Sequence, residues 1–223
     1  MWWRALGVAA VLLCVGLAGG YAVADRTVDT PATSDVLDPV PAVSPAVPTA
    51  TPHPVFPDPD TAPLEPDLAT HPEVLRLPRH GAGVIAQVPD GWRVGAVGNT
   101  WTFAKEGNPT NTYVLRIQLV FGQRQSIAVV KGARLAALQQ YQDDGHMFEL
   151  DITAESDDAF EASYIDSTDY RRVTTERYVT FDGDVAYVVV AATGRTVDTE
   201  GMRDLVSRTA DSMLELADGE KAP

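Results

Sequence analysis

The chain has 223 residues, and its 31 Asp and Glu against 17 Lys and Arg give it a formal charge of -14 and a pI near 4.5. That balance argues against nucleic acid and against anionic lipid headgroups as targets, because both need a basic face that displaces counterions. The one cysteine, Cys14, excludes an intramolecular disulfide, and a domain of ordinary size needs none.

In chain order, the first element is the run Ala5 to Ala24, which contains no charge. As a helix it would span roughly 30 Å, the thickness of a bilayer's hydrocarbon core. Arg4 precedes it and Asp25 follows, so the run predicts a body delivered outside the cytoplasm. Three readings of residues 1–24 compete. One is a retained transmembrane anchor, which Trp2 and Trp3 suit as interfacial aromatics. The second is a secretory signal cut after Ala24, at the small-residue site Ala22-Val23-Ala24. The third is lipidation at Cys14, where Val11-Leu12-Leu13 departs from the small residue that lipoprotein signals place before the cysteine.

Residues 25–78 hold thirteen of the sixteen prolines, in runs such as Pro52-His53-Pro54-Val55-Phe56-Pro57, and nine acids against Arg26 and Arg76. Proline removes an amide donor and biases its predecessor away from the α region, so neither helix nor ladder propagates. The composition predicts a disordered, extended, acidic linker that holds a domain away from the membrane. Its threonines are candidate glycosylation sites only on composition, and an unmodified linker is the simpler reading.

The folded domain is expected over residues 79–217, with 218–223 as tail. Gly83 to Val88 reads as a strand, Pro89-Asp90-Gly91 as a turn, and Trp92 opens a second strand. Asn99 to Ala104 alternates so that Trp101 and Phe103 share a buried face. Tyr113 to Phe121 places Leu115, Ile117 and Leu119 on one side and Arg116 and Gln118 on the other. A helix follows from a cap at Ser126, with Ile127, Val130, Ala133, Ala137, Leu138 and Tyr141 as its stripe, and Asp143-Asp144-Gly145 stops it. Hairpin strands come next: Phe148 to Glu155, Phe160 to Tyr164, then Tyr170 to Phe181. Asp182-Gly183 signals a two-residue hairpin into Val185 to Ala192. That last run is apolar on both faces, which predicts a central strand covered from both sides. A closing helix is expected from Asp198 to about Ala217, burying Met202, Leu205, Val206, Thr209, Met213 and Leu216.

Candidate chemistry is sparse. Nucleophilic catalysis needs a base in reach, usually histidine, and the expected domain offers His80 and His146, since His53 and His71 fall in the linker. His146 at a strand entry reads more simply as a surface residue. No clustered Cys and His suit zinc, Asp182-Gly183-Asp184 is a hairpin rather than a calcium loop, and no phosphate-cradling or dinucleotide glycine motif occurs. Trp92 and Trp101 read as core aromatics rather than a ligand platform. From Asp143 to Asp169 there are ten acids and no Lys or Arg, and alternation puts Glu149, Asp151 and Glu155 on one face. Those three are a candidate interaction patch for a cation or a basic partner. The simpler reading pairs them with Arg171, Arg172 and Arg177 across the strands.

Val88-Pro89-Asp90-Gly91-Trp92, followed by Trp101-Thr102-Phe103, resembles the PsbP-like superfamily, whose members open with a V-P-x-G-W turn before an aromatic strand. The order of elements behind it, over Arg79 to Leu216, fits the same superfamily, and the chain also resembles the LpqN-type envelope proteins of actinobacteria. The resemblance implies an α+β domain, an antiparallel sheet of about six or seven strands flanked by two main helices. It also implies a protein-binding role with no shared active site; no cofactor is expected. The expectation is a membrane-tethered, extracytoplasmic interaction module without catalysis, bound to an envelope protein. The alternative is a carrier of a small molecule or lipid, which needs an apolar pocket between sheet and closing helix.

Overall fold

The computed structural model describes residues 52–77, 82–107, 113–120 and 124–216. The apolar run 5–24, residues 25–51 and the tail from 217 lie outside the described residues, and so does His80.

Seven strands form the main sheet: β3 (Trp92–Val97), β4 (Thr100–Lys105), β5 (Tyr113–Leu119), β6 (Met147–Glu155), β7 (Ala159–Asp166), β8 (Arg171–Val179) and β9 (Val188–Gly194). Their spatial order is β3-β4-β5-β9-β8-β7-β6, antiparallel throughout. β9 is therefore the middle strand, as its two-sided apolar character demands. Val188, Val190 and Ala192 enter one core, and Val189 enters the other. The architecture is α+β, with two α-helices, α1 (Ile127–Asp143) and α2 (Thr199–Asp211), among the described residues.

A second sheet was not expected. β1 (Thr70–Arg76), β2 (Gly83–Pro89) and β10 (Leu214–Leu216) pair in the order β1-β2-β10. This small sheet and α2 share the first core with one face of the main sheet, through Leu75, Val84 and Val88 on one side, Leu115 and Ile117 on the other, and Leu205 between. α1 shares the second core with the opposite face, where Leu138 meets Met147, Phe160, Ala162, Tyr178 and Val189.

The expected linker 25–78 is corrected for its second half. Residues 52–69 lie on the body: Phe56 bridges Tyr170, and Leu64 is buried. The physical reason is that proline-rich backbone keeps its carbonyls, and Arg195 collects them. Its guanidinium is 1% exposed, donates to the oxygens of Pro59, Thr61 and Ala62 at 3.0–3.2 Å, and pairs with buried Asp198. Asp198 also accepts from the Leu64 amide at 2.9 Å, and Gly201 of α2 presents no side chain to Leu64. Beyond this strap, β1 pairs with β2 over seven residues, Thr70 opposite Pro89 to Arg76 opposite Gly83.

Other boundaries move for similar reasons. The closing helix ends at Asp211 rather than near Ala217, because Leu214 to Leu216 pair with Ile85 to Gly83 of β2, and a ladder to a buried partner outweighs one more helical turn. Asp182-Gly183 is not a two-residue hairpin: residues 180–187 intervene, with Gly183 at φ +59. That loop spends its groups on the entry to α1, through Ile127 N–H to Asp184 O and Ala186 N–H to Gln125 O. Ser126 stands at the helix start without a side-chain cap bond. On α1 the stripe is narrower than expected. Ala133 and Tyr141 are exposed, while Lys131 is buried and donates to the Ser156 carbonyl.

Candidate functional site

Alternation on two strands builds one polar cluster beneath α1. Arg116 and Gln118 of β5 point away from the first core, and so do Glu176 and Tyr178 of β8, while Val130 and Arg134 come down from α1 one turn apart. These residues line a cleft of about 310 Å³, with Asn99, Leu119, Val120 and Val189 completing its wall.

Glu176 is its floor and is 0% exposed. One carboxylate oxygen, Oε1, accepts from Arg134 Nε at 2.8 Å, Arg134 Nη2 at 2.7 Å and Arg116 Nη2 at 3.3 Å. Its other oxygen, Oε2, and Arg116 Nε are buried and make no well-aligned hydrogen bond among the described residues; the Tyr178 hydroxyl lies within interaction range of the Glu176 carboxylate but is not aligned into a full bond with it. Burial works against the Arg134 charge, but the bonds and attraction from Glu176 outweigh it and hold the guanidinium above its ordinary pKa. Burial, then the neighbouring Glu176 charge, push the Tyr178 phenol far above its ordinary value, so it is a neutral O–H group. Two guanidiniums facing one carboxylate leave this cleft with one excess positive charge, partly shielded from water. The arrangement can hold an anion, donate from Tyr178 and accept at Glu176.

The residues singled out in the sequence fall elsewhere. Glu149, Asp151 and Glu155 do not share a face. Asp151 lies opposite Ser163 and Glu155 opposite Phe160, and those two β7 residues have opposite parity. Two register irregularities in β6 are the cause, each breaking the alternation, with Glu149 at φ +50 inside the first. Glu149 pairs with Arg171, which holds its carboxyl below the usual range, while Glu155 pairs with Lys131 of α1 at 3.0 Å. Arg172 and Arg177 pair with other acids, Asp58 and Asp166 for the first, Asp158 and Asp211 for the second.

His146 is exposed beside the Tyr141 ring. His53 and His71, assigned to the linker, both lie on the folded body. His53 stacks on Phe148 at 3.7 Å and reaches Asp169 at 2.8 Å, and His71 reaches Asp90 at 2.8 Å. Trp101 is buried, and half-buried Trp92 stacks on Tyr113 at 5.5 Å. Among the described residues no group of three His, Cys, Asp or Glu is placed to hold a metal ion, and no helix is long and apolar enough to cross a membrane.

The cluster under α1 carried one signal in the sequence. A middle strand apolar on both faces implies that its neighbours are covered on both faces too. That Arg116 and Glu176 sit on those neighbours follows only from the strand order β5-β9-β8, and buried charges so placed need partners.

Fold and cleft together define an antiparallel α+β domain with a charge-lined recess between its helix α1 and its main sheet. No protein-family model matches the chain, and no curated protein matches it.

Proposed function

We propose that this chain is a membrane-tethered, extracytoplasmic binding module, non-catalytic and of PsbP-like fold, whose partner is another envelope component. The observation that carries the reading is the twenty-residue run 5–24, without charge and flanked by Arg4 and Asp25, ahead of a body that has its own cores. Among the described residues, both cores are drawn from positions 64 to 213. In support of the PsbP-like fold stands the order of elements from Gly83: strand, tight turn, three strands, helix, four antiparallel strands, helix and a short last strand.

A lipid carrier needs an apolar pocket between the sheet and the closing helix. Leu205, Val206 and Met213 are packed into the first core at that place, 1–6% exposed, which weighs against it. Fractionation of cells expressing the full chain with a C-terminal tag tests the tether. The tag is expected in the membrane fraction and open to protease added to intact cells. A tag recovered in the cytosol, or resistant until lysis, overturns the proposal, while a tag in the medium assigns residues 1–24 to a cleaved signal.

A further inference from the structure

We propose that the cleft between α1 and the main sheet binds a small organic monocarboxylate that carries a hydroxyl beside its carboxylate and a compact apolar body. The inference concerns the cleft alone and does not depend on where the chain resides.

Charge gives the first part of the argument. Arg116 and Arg134 share a single oxygen of Glu176, so the recess has one positive charge without a counterpart in it. In a space partly closed to water that charge is best met by one negative charge, and a ligand cation is repelled. Hydrogen bonding gives the second. Glu176 Oε2 can only accept, and it needs a donor; Arg116 Nε can only donate, and it needs an acceptor. The Tyr178 hydroxyl stands in the same wall, beside Glu176 but without a well-aligned bond to it among the described residues, so its proton can turn to a ligand. A 2-hydroxy acid answers both needs with adjacent groups, its hydroxyl donating to Glu176 and its carboxylate accepting from Arg116 and Tyr178. Size and polarity give the third. A volume of about 310 Å³ is at the low end for ligand sites, and Val120, Val130 and Val189 offer the other wall to a branched apolar tail.

The test uses the full chain in detergent micelles and 2-hydroxy-3-methylbutanoate as probe, followed by saturation-transfer NMR and calorimetry. Saturable binding is expected, about tenfold or more weaker for 3-methylbutanoate, which lacks the hydroxyl, and lost for the methyl ester, which lacks the charge. Arg116→Met leaves Glu176 paired with Arg134 and should weaken binding by about tenfold or more. Val130→Phe, which fills the cleft from α1 without touching a charge, should abolish it while the circular dichroism spectrum stays native. The proposal is overturned by absence of saturable binding to folded protein, by inorganic phosphate competing equally well, or by unchanged affinity in either folded variant.

Discussion

Glu161 is 7% exposed on β7, yet it is held as an anion. Burial alone would raise its pKa. The bonds it accepts from Arg203 Nε and Nη2, both at 2.7 Å, and from Thr153 and Thr175 outweigh that and hold it below the ordinary carboxylate value. Asp166 repeats the balance: burial raises it, and bonds from Thr168, the Tyr170 amide and the charge of Arg172 lower it further. In both, the folded pKa lies below the unfolded one. Their contribution is complete above the unfolded pKa of roughly 4, and it is lost as the pH falls through the folded values. Relief of repulsion in a chain of charge -14 acts the other way on acidification, so the informative quantity is a difference. Between pH 7 and pH 3 the urea midpoint of Glu161→Gln should fall less steeply than that of the unaltered protein. Parallel curves would mean that Glu161 gains nothing from its partners.

Two helices of opposite character make the test at the level of elements. Gly132 sits exposed in the middle of α1, with nothing within 4 Å of where a Cβ would stand. Gly201 sits buried in the first turn of α2, where a Cβ would lie 2.0 Å from the Leu64 carbonyl oxygen. Gly132→Ala should stabilise by about 0.5–1 kcal/mol, the ordinary helix preference. Gly201→Ala should destabilise by about 1–3 kcal/mol, because the strap must shift to admit the methyl group. Urea unfolding of the two variants checks the pair, and a shared sign would contradict the docking of residues 59–64 on α2. The elements themselves were legible wherever a pattern within four residues decides: the alternation of β4 and β5, the start and stop of α1, the two-sided β9. β6 departs from its expected face because its alternation is real in sequence and broken in register, and nothing local announces a bulge. β10 carries a helical pattern as well, because Met213 and Leu216 fit the spacing of α2 as closely as they fit a strand beside β2.

For the whole molecule the consequential boundary is the start of the folded body. Residue 79 looked like its beginning, and the body instead reaches back at least to Phe56. Burial of a leucine contributes about 1.5–3 kcal/mol, so Leu64, Leu75 and Leu77 together represent roughly 5–9 kcal/mol, comparable with the roughly 5–15 kcal/mol that holds a domain. A chain beginning at residue 79 should therefore lack a cooperative unfolding transition, while one beginning at residue 52 should keep it. Equal urea midpoints for the two would show the strap and β1 to be dispensable.

The cleft under α1 follows the same logic at larger range. Its residues were visible one by one, Arg116 as the polar side of a strand and Glu176 within another, but their meeting depends on β9 lying between β5 and β8. Reading alone settled which short stretches alternate and which repeat at helical spacing, because those preferences are carried by side chains within one or two turns of each other. The order of the strands, the capture of a proline-rich strap by Arg195 and the depth of Glu176 belong to the folded chain only. Each joins residues between 40 and about 140 positions apart, and contacts at that distance are chosen by the burial and charge pairing of the complete body.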